Sequence, residues 1–311
     1  MHPSRSASTP PALHAVSDLD HAVSDLDTGG RRSSPRRYLL CRPTEFDVVY
    51  AINPWMDVDV AVDRDLALRQ WETLRETYRS LGHEVVTVPN GVGLPDMVFA
   101  ANGGLVVDGI AVGARFANPQ RGPEAALYRH HLRAAGIEVV HEPEFVNEGE
   151  GDLLVAGDVV LAGSGFRTDL RAHAEVAELT GREVVPLRLI DPRYYHLDTA
   201  ACVLDDDTIA YLPEAFDMAS RRVLEQRFPQ AVLVSGHDAA VLGLNAVSDG
   251  RHVVLNREAR DFAGQLEERG FVPVPVDLSE LRKAGGGPKC CTLELRGATV
   301  TTTLDLEEVV A

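Results

Sequence analysis

Residues 181–187 read GREVVPL: a glycine, then within three positions a short run rich in β-branched side chains. The same arrangement stands at 82–88 (GHEVVTV) and at 136–142 (GIEVVHE), with looser copies after Phe228 (PQAVLV) and Gly270 (FVPVPV). A helical pattern precedes each. Glycine at such a place suits the left-handed C-terminal cap of a helix, and the run behind it suits a buried strand. The steps from Gly82 through Gly136, Gly181 and Phe228 to Gly270 are 54, 45, 47 and 42 residues. One unit of helix plus strands therefore recurs five times, and a period of this length decides the architecture before any local detail.

The polar landmarks keep nearly the same period. Asn102, Glu148, His196, Asn245 and Cys290 are separated by 46, 48, 49 and 45 residues. If each unit is one blade about an axis, equivalent positions converge at its centre. The expected fold class is α/β: a five-bladed β/α propeller of about five pseudo-repeats around a central active site.

Residues 1–37 differ in composition. The heptad HAVSDLD occurs at 14–20 and again at 21–27, followed by Gly29, Gly30 and RRSSPRR. Two copies are too short for a coiled-coil seam, so the expectation is a disordered N-terminal arm over 1–37 and one catalytic domain over 38–311.

Composition narrows the function. The 311 residues carry 30 basic and 47 acidic side chains, a formal charge of −17, which does not suit binding to nucleic acid through phosphate contacts. No apolar run approaches a membrane span and no signal-like start is present. Four scattered cysteines make no disulfide framework and no C-x-x-C zinc spacing. A reduced, cytoplasmic protein is expected, without metal or redox cofactor. Oligomerisation is left open.

Several clusters can do chemistry. AGGGPKCCT at 284–292 sets three glycines before a thiol, a run that lets backbone approach a ligand closely. A cysteine is a nucleophile only as thiolate and needs a nearby cation or histidine. In YYHLDTA, His196 and Asp198 would share one face if the segment is a strand. In VNEGEGDLL, Glu148, Glu150 and Asp152 crowd three acids into five positions and call for a cation. A metal would have no matching His or Cys spacing. A planar guanidinium takes paired carboxylates in fork geometry.

Together these segments resemble the guanidino-group modifying enzymes of the pentein superfamily, which include arginine deiminases, dimethylargininases and amidinotransferases. The resemblance spans residues 38–311. It is carried by PDMVF at 95–99, EGEGD at 148–152, GFRTD at 165–169, HLDT at 196–199 and GGGPKC at 285–290. It implies a five-bladed propeller, Cys290 as nucleophile and His196 as general acid and base. It further implies Asp198 as a guanidinium-binding acid, Asp96 as the family's first-blade Asp, and Arg167, with Arg121 as second candidate, on the substrate's α-carboxylate. The family's E-x-G-D is displaced here, so Glu148 is taken as the catalytic acid and Glu150 as its alternate, with Asp152 beside them. Dimethylargininases carry an acidic pair where this chain has Ala101 and Asn102, and they lack the Asp of HLD.

These readings imply a hydrolase acting on the guanidino C–N bond of arginine or a derivative, through a covalent amidino-thioether. Asn102 can both donate and accept, so it could hold neutral citrulline as well as arginine. INPWM at 52–56 is similar to cyanobacterial arginine dihydrolase modules. The expected reaction takes arginine to ornithine, or to citrulline, with release of ammonia. Dimethylargininase, amidinotransferase and a non-catalytic propeller are the alternatives.

Overall fold

In the computed structural model, residues 30–297 are described, and those from Arg31 to Gly297 belong to one compact unit. Arg37–Cys41 (β1) and Glu84–Val88 (β2) pair in parallel on either side of the helix Arg64–Ser80. The chain then repeats one pattern four times: an antiparallel strand pair, a helix, and a third strand parallel to the second. Gly104–Val107 (β3) and Ile110–Gly113 (β4) are joined by Val139–His141 (β5) after the helix Glu124–Ala134. Leu153–Ala156 (β6), Val159–Ser164 (β7) and Glu183–Arg188 (β8) follow around Leu170–Thr180. Next come Ala201–Val203 (β9), Ile209–Tyr211 (β10) and Val232–Leu233 (β11), then Val247–Ser248 (β12), His252–Asn256 (β13) and Val272–Val276 (β14). Their helices are Met218–Arg227 and Arg260–Glu268. Leu293–Glu294 (β15) pairs antiparallel with β1 and completes the first unit's sheet. The architecture is α/β with five three-stranded sheets of one design.

The helix ends fall where the sequence places them. Gly181 has φ 69° and its N–H bonds the Ala177 carbonyl, a left-handed cap that a β-carbon would strain. Asp63, Asp169 and Asp217 cap the starts of three helices by accepting from backbone N–H groups one turn in. Pro273 and Pro275 lie in β14, which is an edge strand with β13 as its single neighbour, so the missing N–H groups cost no ladder bond. Between sheet and helix sit apolar layers. Trp71, Leu74 and Tyr78 of the first helix are fully buried against Tyr38, Leu40 and Val85. Each such side chain contributes about 1.5–3 kcal/mol by leaving water.

The folded chain begins before Tyr38. Arg31 stacks on Phe271 and bonds Asp205 and the Arg269 carbonyl, and Arg37 bonds Glu84 and the Ala135 carbonyl. The arm expected over 1–37 is therefore packed from Arg31 onward; its remainder, with the duplicated heptad, lies outside the described residues. Among the described residues no helix is long and apolar enough to cross a membrane.

Candidate active site

Each of the five period landmarks stands just before the first strand of an antiparallel pair: Asn102 before β3, Glu148 before β6, His196 before β9, Asn245 before β12 and Cys290 before β15. All five are buried. Further along the same five strands is a cavity of about 540 Å³, reached by Lys289 but not by Cys290. None of the five landmark residues lines it.

Cys290 Sγ is held between two groups. The thiol donates to Asp198 Oδ2 at 3.1 Å, and Asn245 Nδ2 donates to the sulfur at 3.1 Å. Burial and the facing Asp198 push this thiol well above its usual range. Burial likewise raises Asp198 to about 6, against the opposing influence of His196 and the thiol hydrogen bond. His196 and Asp198 are not on one strand as expected. His196 is extended, and Asp198 lies in the short helix Leu197–Ala200 that follows. The turn nevertheless delivers Asp198 to Cys290.

The imidazole of His196 bonds Glu148 Oε2 through Nε2 at 2.7 Å. Glu148 also accepts from Arg167 Nη1 at 2.9 Å and from the Ala117 N–H at 3.0 Å. Burial alone would raise this carboxyl. The His196 hydrogen bond and the charges of Arg167 and Arg121 outweigh it and hold the group well below its usual value. An ionised Glu148 requires a proton on Nε2, which leaves Nδ1 as the nitrogen outside this hydrogen bond. Among the described residues it has no partner. Gly151 makes room here: a β-carbon would lie 2.3 Å from Asn102 Nδ2 and 3.1 Å from Nδ1.

Asp96 accepts from Tyr50 Oη at 2.8 Å through one oxygen, while its buried second oxygen has no partner among the described residues. Burial raises this carboxyl despite the nearby Arg121. Arg121 forks onto Glu124 at 2.9 and 2.8 Å and donates to Asn102 Oδ1 at 2.6 Å and to the Asp96 carbonyl at 3.1 Å. Asn102 Nδ2 faces the Glu148 carbonyl at 3.4 Å. Arg167, besides holding Glu148, donates to the Ile52 carbonyl at 2.8 Å and packs over Tyr195. Both arginines thus stand at the site with their guanidinium groups engaged by protein.

Two expected residues are elsewhere. Glu150 is buried against Lys289 and Arg296 and accepts the Glu294 N–H, so it is neither a catalytic alternate nor a substrate ligand. Asp152 accepts from the Leu197 N–H at 3.0 Å and from the Thr168 N–H and hydroxyl at 3.3 and 2.7 Å, which makes it a brace rather than a binding group. The reason is the 3-10 turn Gly149–Gly151, which sends alternate acids to different sides. Arg167 faces Glu148, Lys289 and Arg296 face Glu150, and neutral N–H and O–H donors face Asp152, so each of the three carboxylates has protein partners.

No protein-family model matches this sequence. Among curated proteins, a dimethylarginine dimethylaminohydrolase of Mycobacterium tuberculosis is 54% identical over 281 residues, 90% of this chain and 93% of that one. The chain belongs to the guanidino-group modifying enzymes of the pentein superfamily. Within that family, the bifunctional arginine dihydrolase/ornithine cyclodeaminase ArgZ of Synechocystis is 38% identical over 265 residues, 83% of this chain and 37% of ArgZ. The crystal structure of the product-bound N-terminal domain of ArgZ superposes with a TM-score of 0.81 at 37% identity, covering 84% of this chain and 98% of that domain.

The sequence did not single out Tyr50, Thr168 or Glu124, which hold Asp96, Asp152 and Arg121. Thr168 lay inside the quoted GFRTD without a role of its own, and nothing in the local spacing marks Tyr50 or Glu124. Asn245 entered only as a landmark of the period, and that was its signal.

Proposed function

We propose that this chain is a hydrolase that breaks the guanidino C–N bond of arginine by attack of Cys290, with His196 as general acid and base and Glu148 orienting it. The observation that carries this reading is a set of buried atoms with no hydrogen-bond partner among the described residues: Asp198 Oδ1, on the carboxylate that takes the thiol's hydrogen bond, together with Asp96 Oδ1 and His196 Nδ1. Buried acceptors without donors are costly, and a guanidinium brings N–H donors and positive charge together. The five sheets, each offering one residue ahead of an equivalent strand, support an arrangement as blades around this point.

With a guanidinium above the sulfur, the thiolate–imidazolium form is favoured. The thiolate adds to the central carbon, the imidazolium proton leaves with ammonia, and an amidino-thioether remains. Water then gives a proton to neutral His196 as it adds to the same carbon, and the thiolate departs from citrulline.

Asn102 supports a second turnover. Its oxygen is taken by Arg121, so what it can present to a substrate is N–H, a donor suited to the carbonyl of a ureido group. The leading assignment is accordingly an arginine dihydrolase, yielding ornithine, carbon dioxide and ammonia. Release of dimethylamine from dimethylarginine is the second reading, favoured by the name of the 54% identical relative. Mass spectrometry of separate incubations with arginine, citrulline and dimethylarginine tests both. Ornithine from arginine and from citrulline is expected. Dimethylamine release with arginine untouched would overturn the first reading. Cys290→Ala should abolish every product; persistence of activity would refute the nucleophile. Asn102→Asp should stop at citrulline, and undiminished ornithine in that variant would remove the role given to Asn102.

A further inference from the structure

We infer that Asn245 belongs to the reacting centre: its side-chain amide donates to the Cys290 sulfur and favours the thiolate, while its oxygen fixes the glycine turn that carries the thiol. The orientation of the amide follows from its surroundings. The N–H groups of Gly287 and Cys290 converge on one end at 3.0 and 2.9 Å, so that end must be the oxygen. The other end is then NH₂, and its two protons have two acceptors, the Asp198 carbonyl at 3.1 Å and Cys290 Sγ at 3.1 Å. Turning the amide over would set donors against donors at one end and place two oxygens together at the other.

The third glycine of the GGG run has its explanation in the same contact. A β-carbon on Gly287 would lie 3.0 Å from Asn245 Oδ1 and 3.1 Å from Asn256 Nδ2. Glycine there lets the backbone close onto the amide, and the Lys289 N–H reaches the Asn245 carbonyl at 3.2 Å.

The chemical consequence concerns the sulfur's two states. Burial first, then Asp198 and Cys291, disfavour ionisation of the thiol, and the Gly287 backbone acts in the opposite sense; the thiol in turn raises Tyr195, and His196 and Lys289 act on Asp198. Of the two side chains hydrogen-bonded to the sulfur among the described residues, Asp198 serves the thiol and Asn245 serves the thiolate. An N–H bond to an ionised partner is roughly twice as strong as one to a neutral partner, so the amide's contribution grows as the proton leaves.

This inference rests on Cys290 as the nucleophile proposed above, and its test does not depend on turnover. The full chain and its Asn245→Asp variant are alkylated with iodoacetamide across pH, and the rate is read from the mass of the Cys290 peptide. Aspartate keeps an oxygen for the Gly287 and Cys290 N–H groups but replaces the donor at sulfur. The alkylation midpoint should move upward by about one to two pH units, as expected for loss of a charge-assisted hydrogen bond. The kcat should fall about tenfold or more at neutral pH with KM little changed. Asn245→Ser, read the same way, carries the same expectation if the aspartate variant melts early. An unchanged midpoint in a variant that melts like the parent would overturn the inference. Full activity in Cys290→Ala would instead refute the nucleophile while leaving the alkylation result to stand.

Discussion

Asp152 separates binding from bracing, and replacing it by alanine gives the two roles opposite outcomes. Its carboxylate accepts three hydrogen bonds, from the Leu197 N–H and from the N–H and hydroxyl of Thr168, all in a buried environment. Leu197 follows His196, and the Thr168 hydroxyl also takes the N–H of Glu148 at 3.2 Å, so one carboxylate ties together the backbones of both. Alanine would leave two buried N–H groups unpaired, at about 1–3 kcal/mol each, or about 4 kcal/mol in total. That is a large part of the roughly 5–15 kcal/mol available to a folded protein. With a urea slope of about 3 kcal/mol per molar, the midpoint should fall by about 1.3 M. Tryptophan fluorescence in urea measures this, alongside ammonia release at several arginine concentrations. Below the transition, kcat should drop because His196 and Glu148 lose register. A raised KM with an unchanged urea midpoint would refute the bracing argument and restore Asp152 to the substrate.

Gly151→Ala should lower kcat at least tenfold while the protein stays folded, because the added carbon would displace Asn102 and crowd His196 Nδ1; parent-like kcat in that variant would contradict the geometry. His131 has its ring pushed down to about 4, by burial first and then by His130. The unfolded chain therefore binds the extra proton between about 4 and 6.5, and stability must rise with pH across that window. His131→Gln should flatten the dependence there, as measured by urea midpoints from pH 4 to 7; an equally steep profile would show that His131 does not contribute.

The helix ends and the third strands of the sheets were legible in the sequence because each depends on local chemistry: a glycine in the left-handed region and a β-branched run behind it. The landmark period was legible for a different reason. Asn102, Glu148, His196, Asn245 and Cys290 each fall in the segment that leads into the first strand of an antiparallel pair, so a nearly constant spacing groups them. What spacing cannot convey is rotation about the chain. Glu148, Glu150 and Asp152 look equivalent in EGEGD, yet a single 3-10 turn separates them into a site acid, an ion-paired core acid and a brace. The partners of the two arginines were equally hidden. Arg121 finds Glu124 three residues away, but also Asn102, and Arg167 reaches Ile52, more than a hundred residues earlier.

The pairing of β15 with β1 bears on when the protein becomes chemically dangerous. Cys290 precedes a strand whose partner was made near the beginning of the described chain, and its neighbours Asp198 and Asn245 come from two other units. Contacts of such separation form late in folding. A partly folded chain would carry the Cys290 thiol without its hydrogen bonds to Asp198 and Asn245, and on the role proposed for Cys290 its chemistry would wait until the three units have come together.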